Sequence, residues 1–527
     1  MSPHAVVTET ELRARLVAIE QEAPGALGVY LSPDPAQPLH VQRDPRVGDI
    51  AAVALSTERQ SIAAPATPEL LEHLQRWLGG LPETYVVFHG AQDALLRLAA
   101  ATSAPRAART ARLGCTQTAA HLLAEGTRRG RDLPTLTECT QKLLGTPWQP
   151  PEHLSGDVSA ASAAAAAALL PMMKALTPLL RKRDLTRVFA LECDVLAPVV
   201  AMERAGLAVD AAAFERIAAQ WHTERRETED PARISRLDKL ISTYAYWGQE
   251  HVRGGRIHCQ LHPLATDSGR FSCTDPNLQQ VPSNHTAPGL RACFRPPEDT
   301  ALIVADYAQI ELRVAAHLAP CDALRRVFHE GRDPHRATAA TITGKPEEAV
   351  TDHERKLAKA VNFGFLFGMG AARFRSYAAD GYGVALSDRE AAEARTAFGR
   401  TYPGIARWHE RVGKLTRGRG PVTVRTALGR RKRFTAGKVS FNAALNIPVQ
   451  GTAAEGFKRA MVELEPALAA LGGRGVMVVH DEYIAEVPRE RAQEGRAAVE
   501  SIMKTSMASV VSTVPIEVEA EVRSAWG

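Results

Sequence analysis

Apolar positions along the chain change rhythm, and each change predicts a different element. Between Gly25 and Ala63 the short runs GALGVYL, IAAVAL and QSIAA alternate with Pro- and Asp-rich breaks, which predicts the strands of a sheet. PELLEHLQRWL then has helical spacing, TYVVFHG reads as a strand and AQDALLRLAA as a second helix. Strands interleaved with helices predict an α/β domain of roughly 150 residues. Ahead of it, Thr8 and Glu11 fit a capping box that opens a short helix. The alanine run SGDVSAASAAAAAALLPMM has high helix propensity and little to pack, which predicts a connecting helix and a boundary near residue 185. LECDVLAPVVAMERAGLAVD opens a second domain that continues to Gly527. A chain of 527 residues is in any case too long for one hydrophobic core.

Three segments of the second domain carry polar residues where the pattern leaves them unexplained. In ALIVADYAQIELRVAAHLA, Ala301 to Ala305 predict a buried strand, and Ile310, Val314 and Leu318 predict a helix, so Asp306 falls at the turn between them. There it either caps the helix or stands as a carboxylate on the end of a rigid strand. RGVMVVHDEYIAEVP predicts strands Val476 to Val479 and Tyr483 to Val487, joined by His480, Asp481 and Glu482. Acids at a hairpin tip commonly serve the turn itself. Carboxylates on two buried strands can also be brought together, and their repulsion then calls for divalent cations. Two such ions about 3.5–4 Å apart suit in-line displacement at phosphorus. In ERKLAKAVNFGFLFGMG, Arg355, Lys359 and Phe363 are spaced by four and share a helix face. Such a stripe suits a triphosphate beneath a stacked base, and the alternative is a basic face turned to water. Gly364, Gly368 and Gly370 are expected to end that helix.

Composition adds little to this. With 45% apolar and 23% charged residues the chain has the make-up of an ordinary soluble globular protein. Its net charge of +5 is a weak sign of nucleic-acid binding, but RGRGPVTVRTALGRRKRF gathers many cations and no acid. Cysteines 115, 139, 193, 259, 273, 293 and 321 are odd in number and scattered, as expected of a reducing cytoplasm and not of a disulfide framework. His258, Cys259 and His262 have no second close pair of ligands and are read as incidental. The first residues break their apolar pattern with acids, so neither a signal peptide nor a membrane anchor is expected.

Taken together, DYAQIELR, RKLAKAVNFGFLFG and VHDE resemble motifs A, B and C of family A DNA polymerases, the DNA polymerase I type. The likeness is ordered, from SGRFSCTDPNLQQVP through EGRDPH and LNIPVQGTAAEGFKRAM, strong over Leu261 to Gly527 and weaker over Leu185 to Gln260. It implies an α/β and α+β multidomain chain with a right-hand polymerase at 186–527: a palm, fingers about 321–420 and a thumb about 211–254. The activity it implies is template-directed extension of a primer 3′-OH by deoxynucleoside triphosphates, with two Mg²⁺ ions held by Asp306, Asp481 and the carbonyl of Tyr307. Glu482 would be an accessory acid. Arg355, Lys359 and His335 would bind the triphosphate, Phe363 would stack on the nucleotide, and Glu311, with Gln309 nearby, would crowd the sugar 2′ position. Arg270, Gln450, His480, Phe367, Asn277 and Gln279 would lie against primer-template DNA.

Some parts depart from the family pattern. Phe367 stands where tyrosine is common, and Asn442 where arginine is common. Between AGLAVD and KLISTYAYW the chain has fewer than thirty residues, so most of the thumb is expected to be missing, and a processivity or replication partner could supply the lost grip. Residues 1–185 resemble the ribonuclease-H-like 3′–5′ exonuclease domain of the family. YVVFHGAQDALLRL matches its second motif with Asp93, but GALGVYLSPDP lacks the Asp-x-Glu pair and GRDLPTLTECTQKLLG lacks a tyrosine. An inactive scaffold without proofreading is expected, with no 5′ nuclease domain. The rival readings are a polymerase using ribonucleotides or an RNA template, and a catalytically inert DNA-binding accessory protein. Glu311 and Phe363 oppose the first, and the full set Asp306, Asp481, Arg355 and Lys359 opposes the second. A cytoplasmic enzyme with no membrane partner is expected.

Overall fold

The computed structural model describes residues 4–22, 25–37, 46, 48–81, 83–102, 112–128, 132–150 and 157–527. Two sheets organise it. The N-terminal sheet contains β1 (His4–Val6), β2 (Ala26–Pro33), β3 (Ile50–Ser56), β4 (Ser61–Pro65), β5 (Tyr85–Phe88) and β6 (Arg112–Cys115), in the order β1-β4-β3-β2-β5-β6. Strands β2, β3 and β4 form an antiparallel meander, and β5 and β6 continue from β2 in parallel. The Thr8–Glu11 capping box forms, with Thr8 N–H donating to Glu11 and Glu11 N–H to Thr8 Oγ1.

The alanine-rich segment departs from its expected role as a connector. Helix Val158–Lys182 lies across β2, β3 and β4, with Ala163, Ala165, Ala166, Leu169 and Met172 fully buried. Small side chains let the backbones approach: Ser56 and Ser61 hydroxyls donate to the carbonyls of Ala166 and Ala163 at 2.7 and 2.5 Å. A Cβ on Gly28 would come within 3.0 Å of the Ala166 carbonyl oxygen. What looked like too little side chain to pack is the means of packing. This helix is also the one, among the described residues, long and apolar enough to cross a membrane, and its seat on the sheet accounts for that composition.

The second sheet has four antiparallel strands in the order Arg474–Val479, Glu482–Pro488, Thr300–Tyr307, Val518–Arg523. Thr300–Tyr307 is central, and the continuous burial of Ala301 to Ala305 explains its unbroken apolar run. Helices Phe441–Ala470 and Ala492–Ala508 pack on this sheet and on each other. They cross closely at Gly456, where a Cβ would meet Met507 Sδ at 2.3 Å. Tyr307 anchors the layer by donating its hydroxyl to the Met503 carbonyl at 2.9 Å.

Seven helices between Ile310 and Thr416 stand to one side of this sheet in the sequence, from Ile310–Leu318 to Pro403–Thr416. Among them Asp352–Leu366 opens with a Thr351–Glu354 capping box. Gly364 does not end this helix as expected: it is buried inside it, where a Cβ would meet Phe374 at 2.8 Å. Gly368, at φ +72, makes the turn, and Gly370 leads into helix Ala371–Tyr382. Ahead of the sheet, helices Ala211–Glu227 and Pro231–Tyr244 form a short hairpin clasped by Arg233–Glu224 and Arg225–Asp238 at 2.5 Å each. All seven cysteines are buried and unbridged.

Candidate active site

Asp306 is not a helix cap. It lies on the central strand, opposite Glu482 on one side and Glu519 on the other. The following helix begins after Gln309, which takes a left-handed conformation (φ 53) and makes no side-chain cap bond. Asp481 comes from the hairpin turn, next to His480, also at positive φ (58). One end of the sheet thus gathers Asp306, Glu482 and Glu519, whose spacing the ladder fixes, with Asp481 on the adjoining turn. Restricted hydration in the cleft, then the charges of Asp481 and Glu482, push the Asp306 carboxyl up to about 7. The Asp306 side chain itself is solvent-exposed at this end of the sheet, beside those like charges. Glu482 is steered by Trp526, whose indole N–H donates to it at 2.7 Å.

Arg270 bridges the two halves of the site. Its guanidinium donates to Glu311 at 2.6 Å and to Asp481 at 3.3 Å, while Gln450 reaches Glu311 at 3.4 Å. Burial raises the Glu311 carboxyl and Arg270 opposes the rise. The loop before Arg270 is held by a buried ionic network. Lys432 pairs with Asp267 at 2.7 Å, and the Arg430 guanidinium lies directly on Gly269, which has no side chain and φ +81. Lys458 donates to the Pro263 carbonyl at 2.9 Å and to Glu192 at 2.7 and 2.8 Å, and Arg430 also bonds Glu192. The N-terminal domain contributes Glu125, 2.8 Å from both Arg183 and Arg431 in ion contacts that are not aligned hydrogen bonds at Glu125 Oε1, and the Gly126 carbonyl, 2.6 Å from Lys432.

On helix Asp352–Leu366, Arg355 and Phe363 are half-buried and Lys359 is exposed, so the expected stripe forms one open face. Arg355 pairs with Asp333 at 2.5 Å, and Asp333 also caps helix Pro334–Thr343 through the His335 N–H at 2.8 Å. His335 is buried, its Nδ1 lies 2.9 Å from the Asn362 amide, and its ring is 5.8 Å from that of Phe363. Burial lowers its pKa to about 4, with Arg355 and Lys359 adding to the fall and Asp333 opposing it. A neutral ring accepting at Nδ1 carries its proton on Nε2.

The remaining expected DNA contacts are spread more widely. His480 is exposed at the turn, whereas Gln279 is buried and donates to the Val478 carbonyl at 3.1 Å, which ties it to the sheet. Asn277 is half-buried with an unpaired Oδ1. Phe367 follows the helix and its carbonyl accepts from Asn442 at 2.6 Å. His258 bonds the Glu203 carbonyl, His262 bonds Thr274, and Cys259 lies against Met477. Four supporting residues went unread in the sequence: Asp333, Asn362, Glu519 and Trp526. Asp333 had a signal, since Asp followed by Pro is a common helix opening. The other three act across long separations that no local pattern shows.

The sequence model of DNA polymerase family A matches residues 182–527. DNA polymerase I of Aquifex aeolicus is 36% identical over 280 residues, covering 53% of this chain and 47% of that protein. The thermostable DNA polymerase I of Thermus aquaticus is 39% identical over 302 residues, covering 55% of this chain and 35% of that protein. The chain thus spans half or less of the curated relatives it matches. A solved structure described as the POL domain of Pol1 from M. smegmatis, in complex with DNA primer-template and dNTP, shares the fold over 99% of both chains, with a TM-score of 0.82 at 23% identity. With that match over residues 182–527, and with the ordered motifs brought together around one sheet, the chain belongs to DNA polymerase family A.

Proposed function

We propose that this protein is a template-directed DNA polymerase that extends a primer 3′-OH with deoxynucleoside triphosphates and does not proofread. The observation that carries this is the group of acids at one sheet end, where neighbouring charges help hold Asp306 near 7. Two carboxylates that resist joint ionisation are stabilised by a divalent cation. Among the described residues no three His, Cys, Asp or Glu side chains already converge on one point, so Asp481 would have to exchange Arg270 for a shared ion. Asp306, Asp481 and the Tyr307 carbonyl would hold two Mg²⁺ ions, which supply a lowered pKa at the primer hydroxyl and charge neutralisation on the triphosphate.

The chain's own groups do the rest. Arg355 and Lys359 neutralise phosphate oxygens, and His335, kept neutral, offers a single N–H. Phe363 stacks on the nucleotide. Glu311, fixed by Arg270 and Gln450, fills the space a 2′-OH would need. Arg270 and Gln450 also face the primer end, where minor-groove acceptors are nearly independent of sequence.

We read residues 1–185 as a ribonuclease-H-like domain on the order of its strands, three antiparallel followed by two parallel. β2 contains no acid, so the two-metal site of a nuclease has no first strand to stand on. Residues 186–527 are the polymerase, with fingers about 321–420 and the helical hairpin within 211–254 as a reduced thumb. Primer extension with Mg²⁺ tests the whole reading: wild-type protein should lengthen a primed template with deoxynucleotides and not with ribonucleotides. No extension with either, despite DNA binding, would return the chain to an accessory role.

A further inference from the structure

The basic run RGRGPVTVRTALGRRKRF points to nucleic acid by its charge, yet three consecutive cations in it turn inward. Arg430 is 4% exposed, and the side chains of Arg431 and Lys432 are 17% and 14% exposed. They meet acids and carbonyls of the protein itself. Two of them join the N-terminal domain to the loop that carries Arg270. The chain leaving helix Thr116–Leu123 brings Glu125 and Gly126, both at positive φ (51 and 72), against strand Arg431–Phe434. Arg433 N–H donates to the Glu125 carbonyl at 2.9 Å, the Glu125 carboxylate lies 2.8 Å from Arg431 as an ion contact, and the Lys432 ammonium donates to the Gly126 carbonyl at 2.6 Å.

The same ammonium pairs with Asp267 at 2.7 Å. A Cβ on Gly126 would come within 2.5 Å of Lys432 Cδ and 2.9 Å of Asp267 Oδ1, so the tip of the N-terminal domain rests directly on this ion pair. Any side chain at position 126 would displace it. From Asp267 to Arg270 there is little slack. Gly269 N–H donates to the Thr266 carbonyl at 3.0 Å and Thr266 Oγ1 donates to the Arg270 carbonyl at 2.7 Å, which closes residues 266–270 into one turn. Arg270 then reaches Glu311 at 2.6 Å, while Gln450 holds the same carboxylate more loosely at 3.4 Å. A closed turn moves as a unit, and close packing passes a displacement on.

We propose that the tip of the N-terminal domain, Glu125–Gly126, sharpens sugar selection by positioning Arg270 through Lys432 and Asp267. This positioning presupposes the proposed function, in which Glu311, fixed by Arg270, fills the space of a 2′-OH. Gly126, Lys432 and Asp267 are positioning residues, acting on the nucleotide through Arg270 and Glu311. When the ion pair is loosened, Arg270 and Glu311 gain room to shift. A gate with slack admits a ribonucleotide more easily, whereas a deoxynucleotide has no 2′-OH to be excluded and is little affected. The N-terminal domain thereby has a use at the polymerase site that is independent of nuclease chemistry.

The test is single-nucleotide incorporation by the full chain with Mg²⁺, measuring the rate and the half-saturating concentration for dATP and for ATP opposite a template thymine. Asp267→Ala breaks the pair at an exposed position where folding is not at risk. Gly126→Ala pushes on it from the N-terminal side. Gly145→Ala is the control for backbone strain, being at a similar φ (+79) with no described atom within 4 Å of the added Cβ. Asp267→Ala and Gly126→Ala should each raise ATP incorporation relative to dATP about threefold, with the dATP half-saturating concentration within about twofold of wild type. Gly145→Ala should select as wild type does, and Asp267→Ala should add nothing in a Glu311→Ala background. Wild-type protein that extends nothing overturns the proposed function and this positioning with it. Wild-type extension with an unchanged ratio in either folded variant overturns the positioning alone, as does an equal rise in Gly145→Ala or a further rise in the Glu311→Ala background. Should Gly126→Ala fail to fold, Asp267→Ala decides.

Discussion

The two largest sheets among the described residues are both packed by helices, yet they differ at their ends. The four-stranded sheet brings Asp306, Asp481, Glu482 and Glu519 to one end, with Arg270 reaching in from a braced loop. The N-terminal sheet has no acid within β2, and Asp93 stands at the start of a helix instead. Folding constrains both sheets through the same burial and pairing, so the fold alone does not set the chemistry. A few side chains at strand ends do, and those can be lost while the architecture remains. The N-terminal domain is linked to the site through Glu125 and Gly126, which meet Arg431 and Lys432 of strand Arg431–Phe434.

The largest expected effect falls on the acid-rich sheet. Asp481→Asn should lower the primer-extension rate by about 100-fold or more, as loss of a group that stabilises developing charge does, with primer-template binding near wild type by fluorescence anisotropy. Next comes the buried ionic network behind the Arg270 loop. Glu192 is fully buried between Lys458 and Arg430, so Glu192→Ala leaves two buried cations unpaired. It should cost about 3–5 kcal/mol in denaturant unfolding. A change within about 1 kcal/mol would show that solvent reaches that network. A smaller effect is expected of Glu311→Ala, which removes the side chain held by Arg270 and Gln450. Single-nucleotide kinetics should then show ribonucleotide incorporation rising about tenfold relative to deoxyribonucleotide, a steric gain of the size expected for one small group.

Local pattern made the strand–turn–helix around Asp306 and the hairpin around Asp481 legible, because both are short apolar runs broken by polar turns. The capping box at Thr8 and the open face of Arg355, Lys359 and Phe363 were legible for the same reason. What failed depended on partners distant in sequence. Propensity identified the alanine helix but could not show that Ser56, Ser61 and Gly28 receive it. Gly364 looked like a helix stop because the demand for a missing side chain comes from Phe374 on the next helix. Glu192 and Lys458 are 266 residues apart, and Glu482 and Trp526 are 44 apart, so neither pair leaves a periodic trace.

The most direct test of the contrast between the sheets is one mismatched, end-labelled primer-template incubated with Mg²⁺, with and without deoxynucleotides. The account predicts lengthening only when deoxynucleotides are present, its loss in Asp306→Asn, and no shortening in their absence, for wild type and Asp93→Ala alike. Shortening by the wild type that disappears in Asp93→Ala, or extension that survives Asp306→Asn, would contradict it.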